Sequence, residues 1–145
     1  MKLMIRVGNC FVNRGSYGVG KARLLTTRQG LHTNAIYGFV TMLQKLLDQE
    51  KPDAVCAAFD RREPTFRHKA DAAYKANRKG MPEELAEQML PLKQVLDAMS
   101  VPCYELSGYE ADDLIGTISR KCEAAGWDCT IATGDRDSLQ LITAH

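Results

Sequence analysis

"DAVCAAFD", residues 53–60, is an unbroken apolar run fenced by Pro52 on one side and by the charged "RREP" on the other. A strand with one wet face alternates apolar and polar residues. A run without alternation is expected of a strand covered on both faces, as in a parallel sheet. Working outward, "KLMIRV" (2–7), interrupted by Arg6, "VPCYEL" (101–106) and "DCTIAT" (128–133) read as further short strands. Helical periods separate them. From Thr33 to Glu50, Ile36, Phe39, Val40, Leu43, Leu46 and Leu47 form one apolar stripe. Pro82 followed by Glu83 and Glu84 opens a second helix that runs to Met99, with a kink expected at Pro91. Residues 109–126 form a third, closed by Gly126. Strands alternating with helices predict an α/β fold: a doubly wound parallel sheet with helices on both faces, in one domain spanning 1–145. Residues 8–30, rich in Gly, Arg and Thr, read as irregular.

A chain of 145 residues buries roughly two-thirds of its unfolded surface, so disulfides are not needed for stability. The five cysteines are odd in number and contain no C-x-x-C pair, which indicates neither a disulfide framework nor a zinc site. Reduced thiols in a cytoplasmic protein are expected. No apolar run approaches the ~20 residues that cross a bilayer, and the N-terminus lacks the apolar length of a signal peptide, so no membrane partner is expected. Nineteen Lys and Arg against 18 Asp and Glu leave a formal charge of +1, which favours no partner and sets no oligomeric state.

The distribution of charge is more informative. In an open parallel sheet, ligands bind outside the carboxyl ends of the strands. Asp60 stands at that end of one strand, and Asp135 and Asp137, in "TGDRDS", just past that end of another. The helix beginning "GYEADDLIGT" (108–117) starts on the same edge with Glu110, Asp112 and Asp113. With Leu114, Ile115, Ile118 and Cys122 as its buried face, Glu110 and Asp112 fall on the flanks and Asp113 points outward toward the cleft. One or two acids suit a helix N-terminus, but six carboxylates in one cleft repel unless a counter-charge is present. Oxygen-only ligands suit Mg²⁺ or Mn²⁺, and paired ions about 4 Å apart can clamp a phosphodiester.

Immediately after Asp60, "RREPTFRHKADAAYKANRKGMP" (61–82) carries Arg61, Arg62, Arg67, Lys69, Lys75, Arg78 and Lys79 against Glu63 and Asp71. Cations interleaved with Phe66, His68 and Tyr74 suit a phosphate backbone and the stacking of a base. A positive wall beside a negative centre is what brings a polyanion to a metal site.

Together "TNAIYGFVTMLQKLL", "KPDAVCAAFDRREPTFRHKADAAYKANRKGMPEEL", "GYEADDLIGTISRKCEAAGW" and "TGDRDSLQLI" resemble the 5′→3′ exonuclease domain of bacterial DNA polymerase I and the related flap endonucleases, across about residues 31–145. The resemblance implies a PIN-like nuclease fold, two divalent metals, and hydrolysis of DNA near 5′ ends or flaps. It implies metal-ligand roles for Asp60, Glu110, Asp112, Asp113, Asp135 and Asp137. Arg67, Tyr74, Lys75, Arg78 and Lys79 match a DNA-binding arch at about 61–82, with Lys75 and Arg78 near the scissile phosphate.

Two departures accompany it. The family's first strand ends in Asp-Gly-Asn, whereas this chain has "IRVGN", with Val7 in the acid's place, and residues 10–25 stray from the family text. The match also covers only the front half of the nuclease domain, so a helix-hairpin-helix part is expected to be absent and cleavage to be impaired. The alternative is a non-catalytic fragment that binds DNA or metal. A further reading comes from "GSYGVGKA" (Gly15–Ala22), which fits a phosphate-binding loop except that Ala22 replaces the hydroxyl residue that would meet Mg²⁺. Such a loop should follow its strand at once, yet seven residues separate Val7 from Gly15.

Overall fold

In the computed structural model, β1 (Lys2–Val7), β2 (Ala54–Ala58), β3 (Cys103–Tyr104) and β4 (Asp128–Ala132) form one parallel sheet ordered β3-β2-β1-β4. Residues 1–9, 12, 25–76 and 80–143 are described. The Gly15–Ala22 loop, Arg78 and Lys79 lie outside them. The chain steps outward from β1 through β2 to β3, then returns to the far side of β1. The strand order therefore reverses between β1 and β4, where open α/β sheets place their ligand crevice.

The alternation of β1 divides the core. Met4 faces a cluster with Ala57, Phe59, Phe39 and Leu43 of α1 (Asn34–Glu50), Leu85 of α3 (Glu83–Ala86), and Leu92 and Leu96 of α4 (Met89–Ala98). Ile5 and Val7 face the other side, with Cys56, Ala58, and Ala111 and Ile115 of α5 (Ala111–Ala124). Helices thus cover both faces, and each fully buried Leu, Ile or Phe contributes about 1.5–3 kcal/mol. Arg6, the expected interruption, lies fully buried within β1 with its guanidinium 4.1 Å from the ring centroid of Phe39. Burial lowers its pKa to about 10. Gly8, directly after β1, is required by space, because a Cβ there would overlap the ring of Phe59.

The helix from Pro82 breaks earlier than expected. It stops at Ala86, turns through Glu87 and Gln88, and resumes as α4, so Pro91 falls in the first turn of α4, where a missing N–H leaves no helical bond unmade. The break has a use. Gln88 is buried at 2 % exposure, and its Oε1 accepts the amides of Ala35 and Ile36 at 2.9 and 3.3 Å. Its Nε2 donates to Asn34 Oδ1 at 3.2 Å and to the Glu84 carbonyl at 2.7 Å. The preceding residue, Thr33, makes no side-chain cap, so the start of α1 is satisfied from a distant part of the chain. The strand expected over 101–106 shrinks to Cys103–Tyr104 at the sheet edge, held by Ala57 N–H to Pro102 O and Phe59 N–H to Tyr104 O. α5 ends as its Gly predicts, with Gly126 at φ +70° and the Trp127 amide returning to the Cys122 carbonyl. Among the described residues no helix is long and apolar enough to cross a membrane.

Candidate active site

β2 delivers Asp60 to the carboxyl edge of the sheet, where it joins two neighbouring segments. Its Oδ1 accepts the amide of Ala111, the first residue of α5, and its Oδ2 accepts Asn9 Nδ2, both at 2.6 Å. An acid at this point satisfies an amide that the helix itself cannot pair. Asp112 follows on α5. Burial comes first in raising its pKa, and the charges of Asp60, Asp135 and Glu110 add to the rise, opposed by Lys75. Asp135 caps the 3-10 helix Arg136–Leu141, its Oδ1 accepting the Asp137 amide at 3.0 Å. Two segments far apart in sequence therefore bring Asp60 and Asp135 within electrostatic reach of Asp112.

The remaining acids are placed differently. Glu110, 8 % exposed, accepts Lys75 Nζ at 2.7 Å, Tyr74 OH at 3.2 Å and Arg67 Nη1 at 3.2 Å. Asp113 lines a cavity of about 670 Å³ together with Asp112 and Arg67. Its carboxylate takes both guanidinium nitrogens of Arg67, at 2.7 and 2.8 Å, together with the Glu110 amide at 2.9 Å. These bonds, the Arg67 one first, hold Asp113 below its ordinary pKa and raise that of Arg67. Asp137 is exposed and is not among the charges that act on Asp112.

The two cations come from the basic segment. Arg67 lies on α2 (Phe66–Ala70), and Lys75 in the turns that follow, at φ +54°. A lysine held in this left-handed region is an uncommon, locally costly conformation. Burial disfavours the ammonium most, yet the hydrogen bonds to Glu110 and Tyr74 leave the pKa of Lys75 raised. A cleft of about 620 Å³ is lined by Asp60, Arg61, Arg62, His68, Lys75 and Glu110 among others.

Of the six acids expected to share one cleft, two have a counter-charge within the chain. Glu110 and Asp113 are met by Arg67 and Lys75. Among the described residues no ion pair reaches Asp60, Asp112 or Asp135, so the unbalanced negative charge concentrates there. All their donors are carboxylate oxygens, which suit a hard divalent cation, and the strain on Asp112 is what such a cation relieves. In this arrangement the described residues hold no group of three or more His, Cys, Asp or Glu positioned around one ion.

Val7 sits on the same edge, 3 % exposed, opposite Ala58 and packed in the cluster that includes Ala111 and Ile115. It continues the apolar core up to the foot of the acids. Asn9 and Gln88 escaped the sequence reading, Asn9 because its partner lies 51 residues away.

Comparison with known proteins identifies the family and the fold. The 5′-3′ exonuclease N-terminal resolvase-like domain model matches residues 2–145. DNA polymerase I of Caldicellulosiruptor bescii is 45 % identical over 142 residues, covering 98 % of this chain and 16 % of that protein. DNA polymerase I of Bacillus subtilis is 42 % identical over 142 residues, again 98 % and 16 %. The chain thus spans about a sixth of the length of these relatives. Among solved structures, the bacteriophage T5 5′-exonuclease with bound divalent zinc ions superposes with a TM-score of 0.72 at 23 % identity, over 99 % of this chain and 52 % of that one. A complex of the T5 flap endonuclease with DNA and metal ions gives 0.70 at 23 %. The fold is accordingly the PIN-like α/β nuclease fold. With one domain model spanning it and polymerase relatives above 40 % identity, the chain belongs to the family of 5′-3′ exonuclease N-terminal, resolvase-like domains.

Proposed function

We propose that the chain carries the catalytic half-site of a divalent-metal-dependent 5′→3′ exonuclease or flap endonuclease, acting on DNA phosphodiesters near 5′ ends. One observation carries this reading: at the switch-point edge Asp112 feels the charges of Asp60 and Asp135, opposed by Lys75 of the segment that leaves Asp60. In this reading those three acids hold Mg²⁺ or Mn²⁺, with Glu110 and Asp137 at the margin. When bound there, the metal supplies charge neutralisation and Lewis-acid polarisation of the phosphodiester. The chain's own groups do the rest. Arg61, Arg62 and Lys75 line the cleft through which a strand would approach, and Lys75, with Arg78 and Lys79 of the same segment, neutralises phosphate charge. Tyr74 offers a ring beside them for a base.

A second reading is a module that binds DNA or metal without cleaving it. Val7 favours it, since a buried valine supplies no ligand at the carboxyl end of the central strand. Incubation with a 5′-flap DNA and Mg²⁺ or Mn²⁺ separates the two. Cleavage abolished by Asp135→Asn supports the enzyme, and retention of DNA without metal-dependent cleavage supports the module.

A further inference from the structure

Asp113 is held by three donors from two segments of the chain. A carboxylate offers about four acceptor directions. Here Oδ1 takes one guanidinium nitrogen of Arg67, and Oδ2 takes the other together with the Glu110 amide. Arg67 is fixed in turn. It reaches Glu110 at 3.2 Å and lies 4.5 Å from the ring centroid of Phe66, whose ring meets Tyr109 at 5.6 Å. The Phe66 amide donates to the Gly108 carbonyl at 2.8 Å. The root of the basic segment is therefore joined to the turn opening α5 by backbone, by paired rings and by a two-pronged ionic fork.

We propose that Asp113 is a positioning residue: it fastens the basic segment to α5 through Arg67 and orients Glu110 by accepting its amide, while cation binding belongs to Asp60, Asp112 and Asp135. The metal half of this statement rests on the nuclease reading. The fastening stands without it. For Asp113 to ligate an ion through both oxygens, its Oδ2 would have to release either Arg67 or the Glu110 amide. Holding Arg67 on α2 also restricts where the following turns can carry Lys75, which meets the same Glu110 from the other side at 2.7 Å.

Asp113→Asn tests this, because asparagine keeps the size of the side chain and one oxygen for the Glu110 amide, so the start of α5 survives. Hydrogen exchange is followed over residues 66–76, where the Lys69 and Asp71 amides bond to Thr65 and Arg67 carbonyls. Exchange should quicken about fivefold in Asp113→Asn and in Arg67→Met, and no further in the double variant. Wild-type exchange in Asp113→Asn, or effects that multiply in the double variant, would overturn the fastening. Calorimetric titration with Mn²⁺ supplies the second arm. Asp113→Asn should bind within about twofold of wild type while Asp112→Asn weakens binding about tenfold or more. Equal losses in the two variants would return Asp113 to the ligand set. If the wild-type chain takes up no Mn²⁺, the nuclease reading fails, and exchange alone decides the fastening.

Discussion

Arg67 and Asp113, 46 residues apart, meet through two parallel hydrogen bonds of 2.7 and 2.8 Å. Both side chains are less than a third exposed, at 32 % and 22 %. A shielded fork of this kind contributes about 1.5–3 kcal/mol. Solvent screening at Arg67 brings the expected cost of Arg67→Met nearer about 1 kcal/mol, read from urea unfolding at neutral pH. The sign of the pH dependence follows from the depressed pKa of Asp113. The stabilisation is complete above the unfolded carboxylate value of about 4 and is lost as pH falls through the lower folded value. The difference between wild type and variant should therefore be constant from about pH 7 to 5 and shrink below about pH 4. A difference independent of pH would contradict it.

Asp112 carries the opposite sign. Burial and neighbouring acids raise its pKa, so its ionised form weighs against the fold at neutral pH. Asp112→Asn should raise the unfolding free energy in EDTA, by no more than about 1 kcal/mol given its exposure. The gain should vanish as pH falls below the unfolded value of about 4, where the wild-type carboxyl is neutral too. In Mg²⁺ or Mn²⁺ the order should reverse, with wild type gaining and the variant not. An unchanged order with metal present would remove Asp112 from the ligands.

Val7→Asp places a carboxylate in the cluster with Ala111 and Ile115. Without a partner it should cost about 2–4 kcal/mol. Added Mn²⁺ should restore much of that loss and raise cleavage of 5′-flap DNA above the wild-type level. Melting curves with and without Mn²⁺, beside a cleavage assay, check both halves. Loss of stability that Mn²⁺ leaves untouched would show that this position does not face the metal.

Gln88→Leu preserves volume but strands the amides of Ala35 and Ile36. Buried donors left unpaired cost about 1–3 kcal/mol each, so a loss of about 2–4 kcal/mol is expected in urea unfolding. The change should leave the spectrum of the folded state intact.

Much of the fold was legible because it depends on local pattern. The unbroken "AVCAA", the stripe from Ile36 to Leu47 and the turn at Gly126 each announce an element through periodicity or backbone demand. Placing Asp60, Asp112 and Asp135 on one edge needed only the rule that parallel strands share their carboxyl ends. Side-chain destinations were less accessible. The helix position of Asp113 directs it outward, but nothing in a linear pattern reveals that Arg67 lies across from it. Arg6 looked like a break in β1, whereas it lies fully buried beside the Phe39 ring. Pro91 suggested a kink, but the helix had already been interrupted so that Gln88 could turn inward.

That inward turn also bears on how the chain assembles. The first amides of α1 find their acceptor 53 and 52 residues later in the chain. During synthesis, then, these amides of the first turn of α1 must be met by water until the stretch through Gln88 has left the ribosome. Completion of that turn is a late event, coupled to long-range docking rather than to local nucleation.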